Sequence, residues 1–171
     1  QGIHFKGGTA LNKTILDHAR ISEDIDFTLT KPLQETREEI EKIVNTSGIF
    51  GKVTKDKDVA TFTRLIVTYD NTLGKGEIFI DLNERGKLLL PSQELEIKHF
   101  YPNIPHFSVA CLAIKEMIAE KVAAAIGRNK PRDHYDIYQL IKHGAAFDME
   151  LVKKKCLLSD CDPSIPKMFN K

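Results

Sequence analysis

Asp24-Ile25-Asp26-Phe27 places two carboxylates one residue apart in a β-prone stretch. Alternate residues of a strand share a face. Over residues 24–29 this sets Asp24, Asp26 and Thr28 on one side and Ile25, Phe27 and Leu29 on the other. Two carboxylates held that close repel unless a cation lies between them. The strand therefore predicts a sheet with one packed face and one working face.

Upstream, Lys6-Gly7-Gly8-Thr9-Ala10-Leu11 reads as a turn opening a short helix over residues 9–18, with Thr9 a candidate N-cap. Backbone N–H groups at a helix N-terminus, unobstructed by side chains, bind phosphate. Gln1 stands almost directly against this motif, so a supporting strand or helix is expected upstream of it.

Downstream, residues 32–44 carry Leu33, Ile40, Ile43 and Val44 near helical spacing and close near Gly48. Residues 50–53, 60–69 and 77–83 are rich in Val, Ile, Phe, Thr and Tyr and predict strands, with residues 70–76 as a hairpin connection. Asp81 interrupts the last, otherwise apolar run. Three prolines make residues 88–107 an irregular crossing with one or two short strands.

Helices are then predicted over residues 114–126, 131–143 and 149–158, followed by a loop-like tail. The fold class is α+β: a mixed β-sheet with flanking helices, then a helical C-terminal region. The boundary near residue 108 gives an α/β core over residues 1–107 and a helical region over 108–171.

Composition narrows the function. The 25 Lys and Arg nearly balance the 24 Asp and Glu, so no global basic field implies nucleic acid. Cys111, Cys156 and Cys161 lack zinc-ligand spacing and read as reduced thiols of a cytoplasmic protein. The six histidines are scattered, and Lys153, Lys154 and Lys155 read as a solvated face. No apolar run reaches the roughly 18 residues of a membrane span, so no membrane partner is expected.

If the strand of Asp81 neighbours that of Asp24 and Asp26, three hard oxygen ligands converge. Such a set suits Mg²⁺, with Mn²⁺ as a substitute. A two-metal site of this kind activates a hydroxyl and neutralises a leaving pyrophosphate, which is nucleotidyl transfer from an NTP. In the helical region Lys121 falls on the apolar stripe between Met117 and Ala125, so it faces inward and needs a partner. Asp133 and Asp136 on the next helix both qualify. The pair is either a buried pin between helices or a phosphate-binding lysine with its orienting carboxylate.

Gly7-Gly8-Thr9-Ala10-Leu11, Arg20-x-Ser22-x-Asp24-Ile25-Asp26-Phe27, Ala119-Glu120-Lys121 and Arg132-Asp133-x-x-Asp136-Ile137-Tyr138-x-Leu140 together resemble the AbiEii/AbiGii nucleotidyltransferase family, within the DNA polymerase β-like superfamily. The resemblance implies a nucleotidyltransferase sheet followed by helices that complete the nucleotide site. It implies metal binding by Asp24 and Asp26, with Asp81 added from strand context. Gly7, Gly8, Thr9 and Ser22 would hold the triphosphate, with Lys121 and Asp133 at the nucleotide and Asp136 in the catalytic set. It further implies an RNA acceptor such as a tRNA end, a cognate antitoxin protein and a role in a toxin–antitoxin or phage-defence system. Two other readings share the fold: a non-catalytic nucleotide- or partner-binding module, and a small-molecule transferase of the antibiotic-modifying type.

Overall fold

The computed structural model describes residues 2–72 and 74–169. The chain opens with β1 (Ile3–Lys6), α1 (Gly7–Thr14) and β2 (Asp24–Leu29). Next come α2 (Leu33–Ser47) and a meander of β3 (Phe50–Val59), β4 (Phe62–Asn71) and β5 (Gly74–Asn83). Two short strands, β6 (Gln93–Glu96) and β7 (Ser108–Cys111), precede α3 (Ile114–Arg128), α4 (Pro131–Lys142), α5 (Met149–Leu158) and a 3-10 turn over Ile165–Met168. The strands form one mixed sheet of seven in the order β3-β4-β5-β2-β1-β7-β6. This is the α+β arrangement the sequence predicts.

β2 and β5 run parallel, which requires a long crossover; α2, β3 and β4 supply it. The face of β2 bearing Ile25, Phe27 and Leu29 packs on helices. Ala10 and Leu11 of α1 share one cluster with Phe5, Ile25 and Phe27. Leu33 and Ile40 of α2 share another with Leu29, Leu65 and Leu82. Burying one face in this way fixes the register, because a slip of one residue would turn the apolar set outward. The same register presents Asp24 and Asp26 on the other face.

Beyond the sheet, α3 packs against α4 and α5 and touches α1. Val122, Ala125 and Ile126 of α3 meet Leu151, Val152 and Cys156 of α5 in a further cluster. Among the described residues, no helix is long and apolar enough to cross a membrane.

Several expectations shift. Residues Ile3–Lys6 themselves form the strand that supports the glycine turn. α1 ends at Thr14 rather than continuing to residue 18, because Asp17 and His18 have φ of 45° and 59° and break the helical path. Thr9 is not the N-cap, a position taken by Lys6. β3 extends through the polar run to Val59; it lies at a sheet edge exposed on both faces, so no apolar alternation marks it. β7 pairs in parallel with β1, placing Phe5 beside Cys111. The expected connection over residues 70–76 includes Leu73, which lies outside the described residues. Lys155 does not belong to a solvated face. It is 4% exposed and bridges Glu116 at 2.5 Å and Glu120 at 2.8 Å.

Candidate active site

Strand register builds the centre of the site. Asp26 on β2 lies opposite Asp81 on β5, Asp81 lies opposite Arg64 on β4, and Asp26 lies opposite Lys6 on β1. Cross-strand partners share a face, so Arg64, Asp81, Asp26 and Lys6 form a row across four adjacent strands, with a cation at each end. Asp24 stands two residues from Asp26 on the same face. Burial, then the charges of Asp81 and Asp24, raise the Asp26 carboxyl above the usual carboxylate range, while Lys6 and Lys121 pull it the other way.

The two end cations differ in what they hold. Arg64 donates from Nε to Asp81 Oδ1 and from Nη2 to Asp81 Oδ2, both at 2.6 Å. Its Nη2 also lies 3.9 Å from Asp24 Oδ1. Lys6 instead meets Glu120 of α3 at 3.4 Å. Burial opposes the Glu120 charge, but Lys6 and Lys155 outweigh it and hold that carboxyl below its ordinary range.

The glycine turn sits against this row. Gly7 has φ +77°, and a Cβ there would lie 2.3 Å from Asp26 Oδ2. A Cβ on Gly8 would lie 2.4 Å from Arg20 Nη2. Gly7 is therefore required by close approach as well as by backbone shape, while a Cβ on Gly8 would push the Arg20 guanidinium aside. Thr9 donates its hydroxyl proton to the Asp24 carbonyl and accepts from the Ser22 hydroxyl at 2.7 Å, tying the start of α1 to the strand that carries the carboxylates.

A chain of alternating charges forms the opposite wall. Arg20 donates to Asp136 through Nε at 2.6 Å and Nη2 at 2.9 Å. Lys121 lies 2.9 Å from Asp136 and 3.0 Å from Asp133. Arg128 grips Asp133 through Nε at 2.7 Å and Nη2 at 2.8 Å. Burial works against the Asp133 charge, but Arg128 and Lys121 outweigh it and hold the carboxyl below its ordinary range. Lys121, Asp133 and Asp136 are all buried. Between the two walls lies a cavity of about 640 Å³, within the range of small-molecule sites.

The sequence over residues 1–167 matches the family model described as Nucleotidyl transferase AbiEii toxin, Type IV TA system. The chain belongs to this AbiEii family. Among solved structures, its fold is similar to that of MenT4, a nucleotidyltransferase toxin from Mycobacterium tuberculosis H37Rv, with a TM-score of 0.72 and 26% identity. That match covers 92% of this chain, which spans 56% of the MenT4 chain. JHP933 from Helicobacter pylori follows with a TM-score of 0.61, 18% identity and coverage of 99% of this chain and 80% of its own. The structure of ANT(2")-Ia in complex with adenylyl-2"-tobramycin gives a TM-score of 0.51, 19% identity and coverage of 93% and 87%; at that identity the likeness concerns the fold alone. The comparison with curated protein sequences gave no match.

In this AbiEii chain the cavity is lined by Gly7, Gly8, Ser22, Asp24, Asp26, Asp81 and Lys121. Thr9, Asp133 and Asp136 stand behind that lining and hold it through the bonds described above. Lys121 has both carboxylates as partners rather than one. Arg64 is the residue that sequence reasoning missed. Its signal is a lone charge between Thr63 and Leu65 in a run of strand formers, and only the register shows that it meets Asp81. Arg20 and Glu120 stand inside the glycine–carboxylate and lysine motifs, yet Arg20 meets Asp136 and Glu120 meets Lys6, each more than a hundred residues away in sequence.

The divalent metal implied by this family is tested by the donor set. Asp24, Asp26 and Asp81 offer hard oxygens on one face of adjacent strands, and the crowding that raises Asp26 is what a divalent cation relieves. Among the described residues, however, no three His, Cys, Asp or Glu side chains form a ready metal cluster. Asp81 is turned to Arg64. The residues fit a metal in kind, with Asp81 reaching it only on parting from that arginine.

Proposed function

We propose that this chain is the catalytic part of a Mg²⁺-dependent nucleotidyltransferase toxin that transfers NMP from an NTP to an acceptor hydroxyl on RNA, such as a tRNA end. A cognate antitoxin protein is its regulatory partner, and its place of action is the cytoplasm. The observation that carries this reading is the row in which Asp26 and Asp81 lie side by side against the Gly7 turn.

Residues 1–107 supply the phosphate turn and the carboxylates; residues 108–171 complete the nucleotide site through Lys121, Asp133 and Asp136. The first-turn N–H groups of α1, with Ser22, hold the triphosphate. Mg²⁺ held by Asp24, Asp26 and Asp81 would polarise the acceptor hydroxyl and neutralise the leaving pyrophosphate. The acceptor oxygen forms a bond to the α-phosphorus as the bond to the bridging oxygen breaks, and Asp81 takes the hydroxyl proton. Lys121 places its charge toward the phosphates from between Asp133 and Asp136, and Arg20 and Arg128 extend that charge along the wall. Exposed Arg128 and Arg132 on the cavity lining suit a polyanionic acceptor.

Two outcomes follow. Lys121→Met leaves Asp136 with Arg20 and Asp133 with Arg128, so its stability loss is expected at about 1–2 kcal/mol, below the 3–5 of a buried ion left alone. Activity is expected to fall about a hundredfold, in kcat. Thermal unfolding and steady-state kinetics check both, and an unchanged kcat would make the lysine a helix pin. For the acceptor, the chain is incubated with each α-labelled NTP, Mg²⁺, total RNA and a panel of aminoglycosides. Label is expected in tRNA-sized RNA, and more strongly at low salt; label in the aminoglycosides alone would replace RNA with a small-molecule acceptor.

A further inference from the structure

Of the two cations that close the charged row, only one occupies the carboxylates of the site. Lys6 is drawn away to Glu120. Arg64 places a two-point grip on Asp81 at 2.6 Å and lies 3.9 Å from Asp24. A guanidinium keeps its charge at any working pH and matches a carboxylate through parallel N–H donors. The grip therefore occupies both oxygens of the third proposed ligand. While it holds Asp81, the guanidinium also lies 5.8 Å from the centre of the Phe79 ring, within cation–π range. Its side chain is 26% exposed, so it can move without opening the core.

We propose that Arg64 is an exchangeable counter-ion for the carboxylate site, holding Asp81 until a divalent cation takes its place. The inference rests on the metal-dependent reading above. Arg64 is a positioning residue here: it acts through Asp81 and keeps the carboxylates aligned before metal arrives. Because metal must displace it, the apparent affinity is weakened by the fraction of molecules in which Asp81 is free. If that fraction is about one in ten, the weakening is about tenfold.

The test is Mn²⁺ binding to the full chain without nucleotide, read by calorimetry and by loss of the free-ion EPR signal. Arg64→Gln is expected to bind Mn²⁺ about tenfold more tightly than wild type. Arg64→Lys, which keeps the charge but lacks the fork, should fall between them. Equal or weaker binding by Arg64→Gln, with wild-type binding intact, overturns the counter-ion role. The metal reading is tested apart, since Asp24→Asn should bind weakly; if wild type binds no better than Asp24→Asn, that reading fails and takes the inference with it. Should Arg64→Gln not fold, the wild-type chain decides by NMR. The Arg64 Nε–H resonance, identified by its absence from Arg64→Lys, is expected to shift on saturation with Mg²⁺. A resonance that stays in place overturns the exchange.

Discussion

Asp26→Asn is expected to lose nucleotidyl transfer by about a thousandfold while unfolding at a higher temperature than the wild-type chain. The two effects have one origin. Burial and the charges of Asp81 and Asp24 raise the Asp26 carboxyl above its ordinary range, so the ionised side chain is less comfortable folded than unfolded. The penalty is present above the folded pKa and disappears as pH falls to the unfolded value. Asparagine keeps the shape and removes the charge. The melting temperature should therefore rise near neutral pH, where the penalty on the charged form is fully present. The gain should shrink as the solution is acidified through the raised pKa. Calorimetry across pH, beside kinetics, checks this; a lower melting temperature near neutrality would mean that Lys6 and Lys121 outweigh the repulsion.

Gly7→Ala is the second large effect. Its φ of +77° costs any other residue about 1–2 kcal/mol, and the new methyl would collide with the Asp26 carboxylate. Gly48 provides the control, because it has φ +66° and nothing within 4 Å of an added Cβ. Gly48→Ala should pay the backbone cost of about 1–2 kcal/mol and keep full activity per folded molecule. Gly7→Ala should pay more and lose activity at least about a hundredfold, because the phosphate turn and the carboxylate are displaced together. Melting temperatures and active-site-normalised rates of the two variants separate strain from collision. Equal activities would mean that the turn relaxes around the methyl without moving Asp26.

The contrast between these glycines shows what was legible in the sequence. Turn-prone bounds and the placing of Ile25, Phe27 and Leu29 opposite Asp24, Asp26 and Thr28 were enough to predict the strand and its two faces, because one face is apolar and the other polar. α4 and α5 were equally legible from Pro131, Gly144 and their apolar spacing. Local spacing carries no record of register, so the meeting of Asp81 with Asp26 could be anticipated only as a condition on strand neighbours. Arg64 was invisible for the same reason. Its meaning depends on which strand lies beside β4, and its own segment reads simply as a strand with one charge. Lys155 misled in the opposite way: three consecutive lysines suggest solvent, yet the third turns inward to Glu116 and Glu120. The continuation of β3 past Val53 escaped because an edge strand exposed on both faces needs no apolar period.

The site is proposed to move the α-phosphoryl group with its nucleoside, and positional labelling tests that directly. Wild type and Asp24→Ala are each incubated with RNA, Mg²⁺ and an NTP labelled at either the α- or the γ-phosphate. The α-label is expected to enter RNA and the γ-label to leave as pyrophosphate, and Asp24→Ala is expected to do neither. Transfer of the γ-label, or label incorporation that is the same in both proteins, would contradict the proposed transfer.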